Sequence, residues 1–246
     1  MDRLIYVAMT GARHALEAQA TVAHNLANVN SSGFRAQLNS LRAVHLFGDG
    51  MPTRAYVVDS TTGSDFRPGT IQQTGNALDV AIMGKGFFAV QLPSGREAYT
   101  RAGTLRVGEG GILETPQGFP VLGDGGPITV PPEVNVTIAK DGTVSATSTT
   151  GKSTVNVLGR LKLVNPAENE LVRGEEGLFR LRSGADAPVD ANIVVAPGAI
   201  EGSNVNVVEH LIGMISHARL FETHMKLLQS AEANDRQANQ ILTINR

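Results

Sequence analysis

No cysteine occurs in the 246 residues, which excludes a disulfide framework, a thiolate metal site and a thiol nucleophile. Tryptophan is absent as well, tyrosine occurs three times, and aromatic residues make up 4% of the chain. Sugar rings stack on Trp or Tyr, so a carbohydrate-binding or adhesin β module is poorly supplied here and stands as the reading from a different class. A basic excess is missing too: the formal net charge is −2 and the isoelectric point is near 6.3, which argues against nucleic acid as a partner. No run reaches the ~18 apolar residues that a membrane span needs. The opening Met1-Asp2-Arg3-Leu4 also lacks the basic stretch, apolar run and small-residue cleavage site of a secretory signal. Neither a membrane span nor a cleavable leader is expected.

What is present is organised around the two ends. Ile5, Met9, Ala12, Leu16, Gln19, Ala23 and Leu26 recur with alternating steps of four and three, the stripe that a helix turns toward a neighbouring helix. Beside it runs a second stripe of mostly small residues, Leu4, Ala8, Gly11, Ala15, Ala18 and Val22, which allows close backbone approach. The sequence leaves open which of the two faces the chain's own last helix. At the far end Val207, Leu211, Met214, Ala218, Phe221, Met225 and Leu228 keep the same rhythm, followed less regularly by Ala231, Ala238, Ile241 and Leu242. Asn206, with Glu209 three positions on, marks the start of that helix as a capping pair. The first helix must stop between Asn28 and Gly33, where asparagines, serines and a glycine compete with the helical backbone or permit a left-handed turn.

Between the ends the period shortens to two. Leu78, Val80 and Ile82, then Phe88, Val90 and Leu92, alternate on either side of Gly84-Lys85-Gly86, and Pro93-Ser94-Gly95 turns the chain again toward Tyr99. Further turns at Gly108 to Gly111, Pro116-Gln117-Gly118, Asp124 to Pro127 and Asp141-Gly142 separate short runs, the spacing of an antiparallel sandwich or barrel. Residues 35–76 read as extended structure and loops, with a short helical piece up to Leu46 and a break at Gly48 to Pro52. The expected fold class is α+β: long N- and C-terminal α-helices packed as a coiled-coil-like pair, with an inserted antiparallel β domain. The expected division is 1–34 with 203–246 as a terminal helical domain, 35–76 as an extended connecting segment and 77–202 as the β domain.

Catalytic chemistry finds little footing. Gly151-Lys152-Ser153-Thr154 resembles the tail of a phosphate-binding loop, but Ala146 stands where the leading glycine belongs and a Ser/Thr tract precedes it instead of a strand. His210, His217 and His224 are seven apart, about 10 Å along a helix axis, too far to share one metal ion. Asp79, Glu114 and Asp141 sit in or beside turns without a visible acid-base partner, and no Gly-x-Ser-x-Gly motif is present. The expectation is a protein that is no enzyme, with no catalytic residues, cofactor or metal.

Asn25-Leu26-Ala27-Asn28, ending in Gly33-Phe34-Arg35, resembles the amino-terminal signature of the bacterial flagellar axial proteins, the rod and hook components, with His24 where the family usually has Asn. Asn76 to Ile82, Gly84 to Val90, Tyr99 to Gly103 and Gly118 to Leu122 are similar to the family's shared β segment, and Ser203-Asn204-Val205 to its entry into the last helix. Within the family, Met1 to Tyr6, Gly33 to Leu38 and Met214 to Arg219 are most similar to a component of the cell-proximal rod, with the distal rod and hook proteins as the alternatives. The resemblance implies a structural subunit of the basal-body rod, in the periplasm. It would leave the cell through the flagellar type III export apparatus and polymerise with copies of itself and other rod proteins to carry torque from motor to hook. The stripe residues of both helices become the expected subunit interface, and Asn25, Leu26, Ala27, Asn28, Gly33 and Phe34 the family motif.

Overall fold

The computed structural model describes residues 2–45, 55–148 and 154–244. The chain divides into two compact units, one of residues 1–29, 36–65 and 205–246, the other of residues 30–35 and 66–204.

The first unit holds two helices, α1 (Asp2–Ala27) and α2 (Val207–Ile244), and a long hairpin of β1 (Gln37–His45) and β2 (Ala55–Ser64). A β-carbon on Gly11 would meet the His224 ring, and one on Gly213 would meet Val22, so the helices run antiparallel. Asn206 caps α2, its side-chain oxygen accepting from the backbone N–H of Val208 at 3.1 Å and of Glu209 at 3.4 Å. α1 ends at Ala27, and the His24 carbonyl accepts from both the backbone N–H of Asn28 at 3.3 Å and its side-chain amide at 2.9 Å.

The second unit is β-rich. Its largest sheet has five short antiparallel strands in the order Leu163–Val164, Phe87–Gln91, Glu97–Thr100, Phe179–Leu181, Leu171–Arg173. A three-stranded sheet of Val134–Ile138, Thr143–Ser148 and Val155–Arg160 and several two-stranded ladders complete it. Alternation along Phe87–Gln91 sends Phe88 and Val90 into one apolar cluster, with Ile82, Leu113, Val144 and Leu163, and sends Phe87 and Ala89 into another, with Tyr99, Val164 and Phe179.

Two expectations are corrected. The fold is not a coiled-coil-like pair with one inserted antiparallel domain: two α-helices accompany many short antiparallel strands in small separate sheets, 35% strand against 28% helix, with no closed barrel among the described residues. The physical reason lies in punctuation, because 19 of the 27 glycines and nine of the 11 prolines fall within residues 77–202 and cut the middle into strands too short to build one continuous sheet. The helix seam also differs from a coiled coil, which needs large knobs at its core. Ala8, Ala12 and Ala15 fill this seam, while Ile5, Met9 and Leu16 stay outside it. The helical piece expected before Leu46 is strand β1 up to His45, held by its ladder with β2. Leu46 and the break at Gly48 to Pro52 lie outside the described residues, as do Gly151 to Ser153 of the phosphate-loop-like run.

Candidate assembly interface

The small-residue stripe of α1 is the one that meets α2. Ala8 and Ala15 are each 2% exposed, and Ala231 of α2 is buried as well. Small side chains let the two backbones approach closely, as the Gly11 and Gly213 contacts require. The other stripe is left over. Of its residues Ala12 alone is buried; Gln19 and Leu26 are half-buried, Ala23 is exposed, and Ile5, Met9 and Leu16 are exposed, Met9 at 52% and Leu16 at 49%. On α2 Met214, Ala218, Phe221 and Leu228 are half-buried, and Val207, Leu211 and Met225 are exposed. The side chains of Leu4, Ala238, Ile241 and Leu242 lie outside the described residues.

Sequence reasoning overlooked a further row on α2. Val208, Ile212 and Ile215 are all exposed, and their i, i+4, i+7 spacing was visible in the sequence. Tyr6 and Val7 add exposed apolar surface to α1. Each of these large apolar side chains would contribute roughly 1.5–3 kcal/mol if a further surface covered it.

The motif residues divide between the two units. Asn25 is buried, and its side-chain amide makes two bonds with one backbone residue of β1, donating to the Gln37 carbonyl at 2.9 Å and accepting from the Gln37 N–H at 2.8 Å. It thereby acts as a strand partner supplied from a helix. Thr21 supports it, donating to the Asn39 side chain at 3.0 Å, and His14 lies 3.1 Å from the Val57 carbonyl of β2. Leu26 and Asn28 are half-buried and Ala27 is exposed.

Gly33 and Phe34 belong to the β-rich unit. Gly33 has φ 66°, and a β-carbon there would fall 2.2 Å from the backbone of Arg101 and Ala102, so glycine is required twice over. Its N–H donates to the Glu201 carbonyl at 2.7 Å. The Phe34 ring carries the Arg173 guanidinium 4.7 Å above its centroid. Next in the chain, Arg35 is 1% exposed and donates to Glu201 Oε1 at 2.6 Å; Arg101 approaches Glu201 Oε2 at 3.2 Å, and the Gly69 N–H donates to Oε1 at 2.8 Å. Burial pushes the Arg101 guanidinium down to about 10, against the opposing pull of Glu201. This buried cluster joins residues 166 apart in sequence, and no local pattern announced it.

The candidates for chemistry stay dispersed. Among the described residues no group of His, Asp and Glu is placed to hold a metal ion. His224 packs on Gly11 in the helix seam. Glu114 pairs with Arg106 at 2.8 Å, Asp79 accepts from the Thr74 hydroxyl at 2.6 Å, and Asp141 accepts from its neighbour Thr143, whose bonds hold the carboxyl below the usual range. Among the described residues no helix is long and apolar enough to cross a membrane.

Comparison with known proteins places the chain in a family. Residues 5–35 match the family described as flagella basal body rod protein, residues 81–146 the flagellar hook protein FlgE/F/G D1 domain, and residues 196–241 the flagellar basal body rod FlgEFG protein C-terminal region. The flagellar basal-body rod proteins FlgF of Salmonella typhimurium and of Escherichia coli are each 46% identical to this chain, with all of both chains covered. FlgF of Buchnera aphidicola from Schizaphis graminum is 31% identical, again over all of both chains. The rod component expected from the sequence motifs is thus borne out, and with it the assignment to the flagellar basal body alongside other rod components. The chain belongs to the FlgF family of flagellar basal-body rod proteins, structural subunits of the rod.

Proposed function

We propose that the chain polymerises in the cell-proximal rod through the apolar surface of its terminal helices, joining copies of itself and other rod proteins so that torque passes from motor to hook. The observation that carries this reading is the inverted seam: α1 turns alanine and glycine to its own partner helix and keeps Ile5, Met9 and Leu16 outside, while α2 keeps Val207, Leu211 and Met225 outside. With Gln19, Ala23, Leu26, Met214, Ala218, Phe221 and Leu228, these residues form the contact surface for neighbouring subunits, and Ala12, buried in the seam, packs beneath it. The helical unit, residues 1–29, 36–65 and 205–246, acts as the polymerising domain, and residues 30–35 with 66–204 act as the outer β domain. Export runs through the flagellar export apparatus, polymerisation follows in the periplasm, and the role is mechanical, without catalysis or cofactor.

Torque transmission favours this arrangement, because large buried apolar faces resist shear and become stable only when neighbours cover them. Leu16→Asp and Leu211→Asp should each abolish motility and incorporation into rods while the exported monomer keeps its circular dichroism spectrum. Motile cells with normal rods carrying either substitution would overturn the proposal.

A further inference from the structure

Two guanidinium groups converge in the β-rich unit on one buried carboxylate, and a third lies beside them. Arg35 and Arg101 both pair with Glu201, and Arg173 donates to the Arg35 carbonyl at 3.0 Å. Glu201 is the only buried carboxylate in contact with them among the described residues, so the cluster holds more positive than negative charge. Buried charge without a partner is costly. Arg101 is 4% exposed; it donates to the Gly84 and Ile82 carbonyls, yet its Nε has no hydrogen-bond partner among the described residues.

Arg101 also lines a cavity of about 550 Å³. Phe66, Phe87 and Pro166 give that cavity an apolar wall, and Asn165 and Asn169 give it side-chain amides. Lys85 stands at its rim, 3.4 Å from Glu168, and both of these side chains are largely exposed, so the Glu168 charge is spent on Lys85 in a solvated pair and does not answer the excess positive charge of Arg35 and Arg101, which share the single Glu201 carboxylate.

We propose that this cavity receives the carboxylate of an Asp or Glu presented on a loop of a neighbouring rod subunit, the acid meeting Arg101 and Lys85 while the flanking backbone meets the asparagine amides. The proposal rests on the rod-assembly reading for the source of the loop. Charge complementarity selects the acid: two cations face the cavity and one exposed anion answers them. The volume and the mixed lining favour a peptide segment over a bare ion, which would leave the Phe66, Phe87 and Pro166 wall unfilled. The site gives the β-rich unit a specific contact distinct from the apolar helix surface, and the guanidinium geometry sets its register.

The test uses the unassembled full-length chain, isotope-labelled and titrated with acetyl-Gly-Asp-Gly-amide, with the same peptide carrying Asn, and with acetate, following the backbone signals of Gly86 and Asn169. The Asp peptide should shift both saturably, and the Asn peptide should bind at least about tenfold more weakly, close to 1.4 kcal/mol. Acetate should also bind more weakly than the Asp peptide. Lys85→Glu, an exposed position outside the buried cluster, should weaken the Asp peptide several-fold with the fold intact. Equal binding of the Asp and Asn peptides, acetate as tight as the Asp peptide, no shift with any probe, or indifference to Lys85→Glu would each overturn the proposal. Binding here needs no polymer, so a failure of the rod reading appears separately, in the assembly of Leu16→Asp.

Discussion

The two units bury opposite kinds of side chain. In the β-rich unit Phe88, Val90, Leu113, Leu161 and Leu163 are almost wholly enclosed, so large side chains build its core, although Met83, Val155 and Val157 of its strands are exposed. In the helical unit the seam is made of Ala8, Ala12 and Ala15, and the large residues Met9, Leu16, Val208 and Ile212 point outward. One unit encloses large side chains; the other encloses small ones and leaves large ones at its surface. A small-residue seam yields little apolar burial per residue, so the helix pair gains its full stability only when other surfaces cover the remaining stripes.

Stability measurements can break that comparison, and the largest effect belongs to the β-rich unit. Glu201→Gln leaves Arg35 and Arg101 buried without an anion and should cost about 3–5 kcal/mol in denaturant unfolding. Arg35→Met should cost clearly less, because Arg101 then keeps Glu201 to itself. The order of the two variants is the checkable point. Leu113→Ala, in a fully enclosed position, should cost about 2–5 kcal/mol.

Tyr99 gives a smaller, pH-dependent effect. Its hydroxyl accepts from the Ala187 N–H at 2.7 Å, and burial raises the phenol to about 12. A raised folded-state value means a contribution present in full below the ordinary tyrosine pKa near 10 and lost as pH rises through about 12. Unfolding free energy should therefore fall across that window. Tyr99→Phe should flatten the fall, at a cost of about 1–3 kcal/mol at neutral pH for the N–H left unpaired. Spectrophotometric titration of the phenols at alkaline pH, with and without Tyr99, reads the shift directly.

The smallest expected effect is the sharpest. Leu16→Asp should change the stability of the isolated monomer by no more than about 0.5 kcal/mol, since the position is already exposed. Equivalent loss at Ala15, one residue away and facing the seam, would come from overpacking: Ala15→Leu should cost about 1–3 kcal/mol.

Much of this was legible in the chain because it depends on local pattern. Asn206 and Asn28 mark helix ends, Gly84-Lys85-Gly86 and Pro93-Ser94-Gly95 mark the turns that flank Phe87–Gln91, and the stripes of α1 are a matter of spacing. Which α1 stripe faces inward was not legible, since both were apolar and the choice depends on how closely two backbones approach at Gly11 and Gly213. Hairpin β1–β2 escaped notice because its partner to α1 is a side-chain amide, Asn25, acting in place of a strand. The expected sandwich or barrel gave way to small separate sheets because alternation reveals strands but not how many sheets they form. Arg35 and Glu201 lay hidden for the same reason, as two charges far apart in sequence whose meeting only the fold creates.

The absence of cysteine makes the most direct test clean. A single Leu16→Cys chain is exposed to a maleimide reagent first as a dilute monomer and then within assembled rods. The account predicts rapid labelling of the monomer and strong protection in the rod, with Ala15→Cys slow in both. Equal labelling of Leu16→Cys in monomer and rod would show that no neighbouring subunit covers the outer stripe of α1, and would contradict the account.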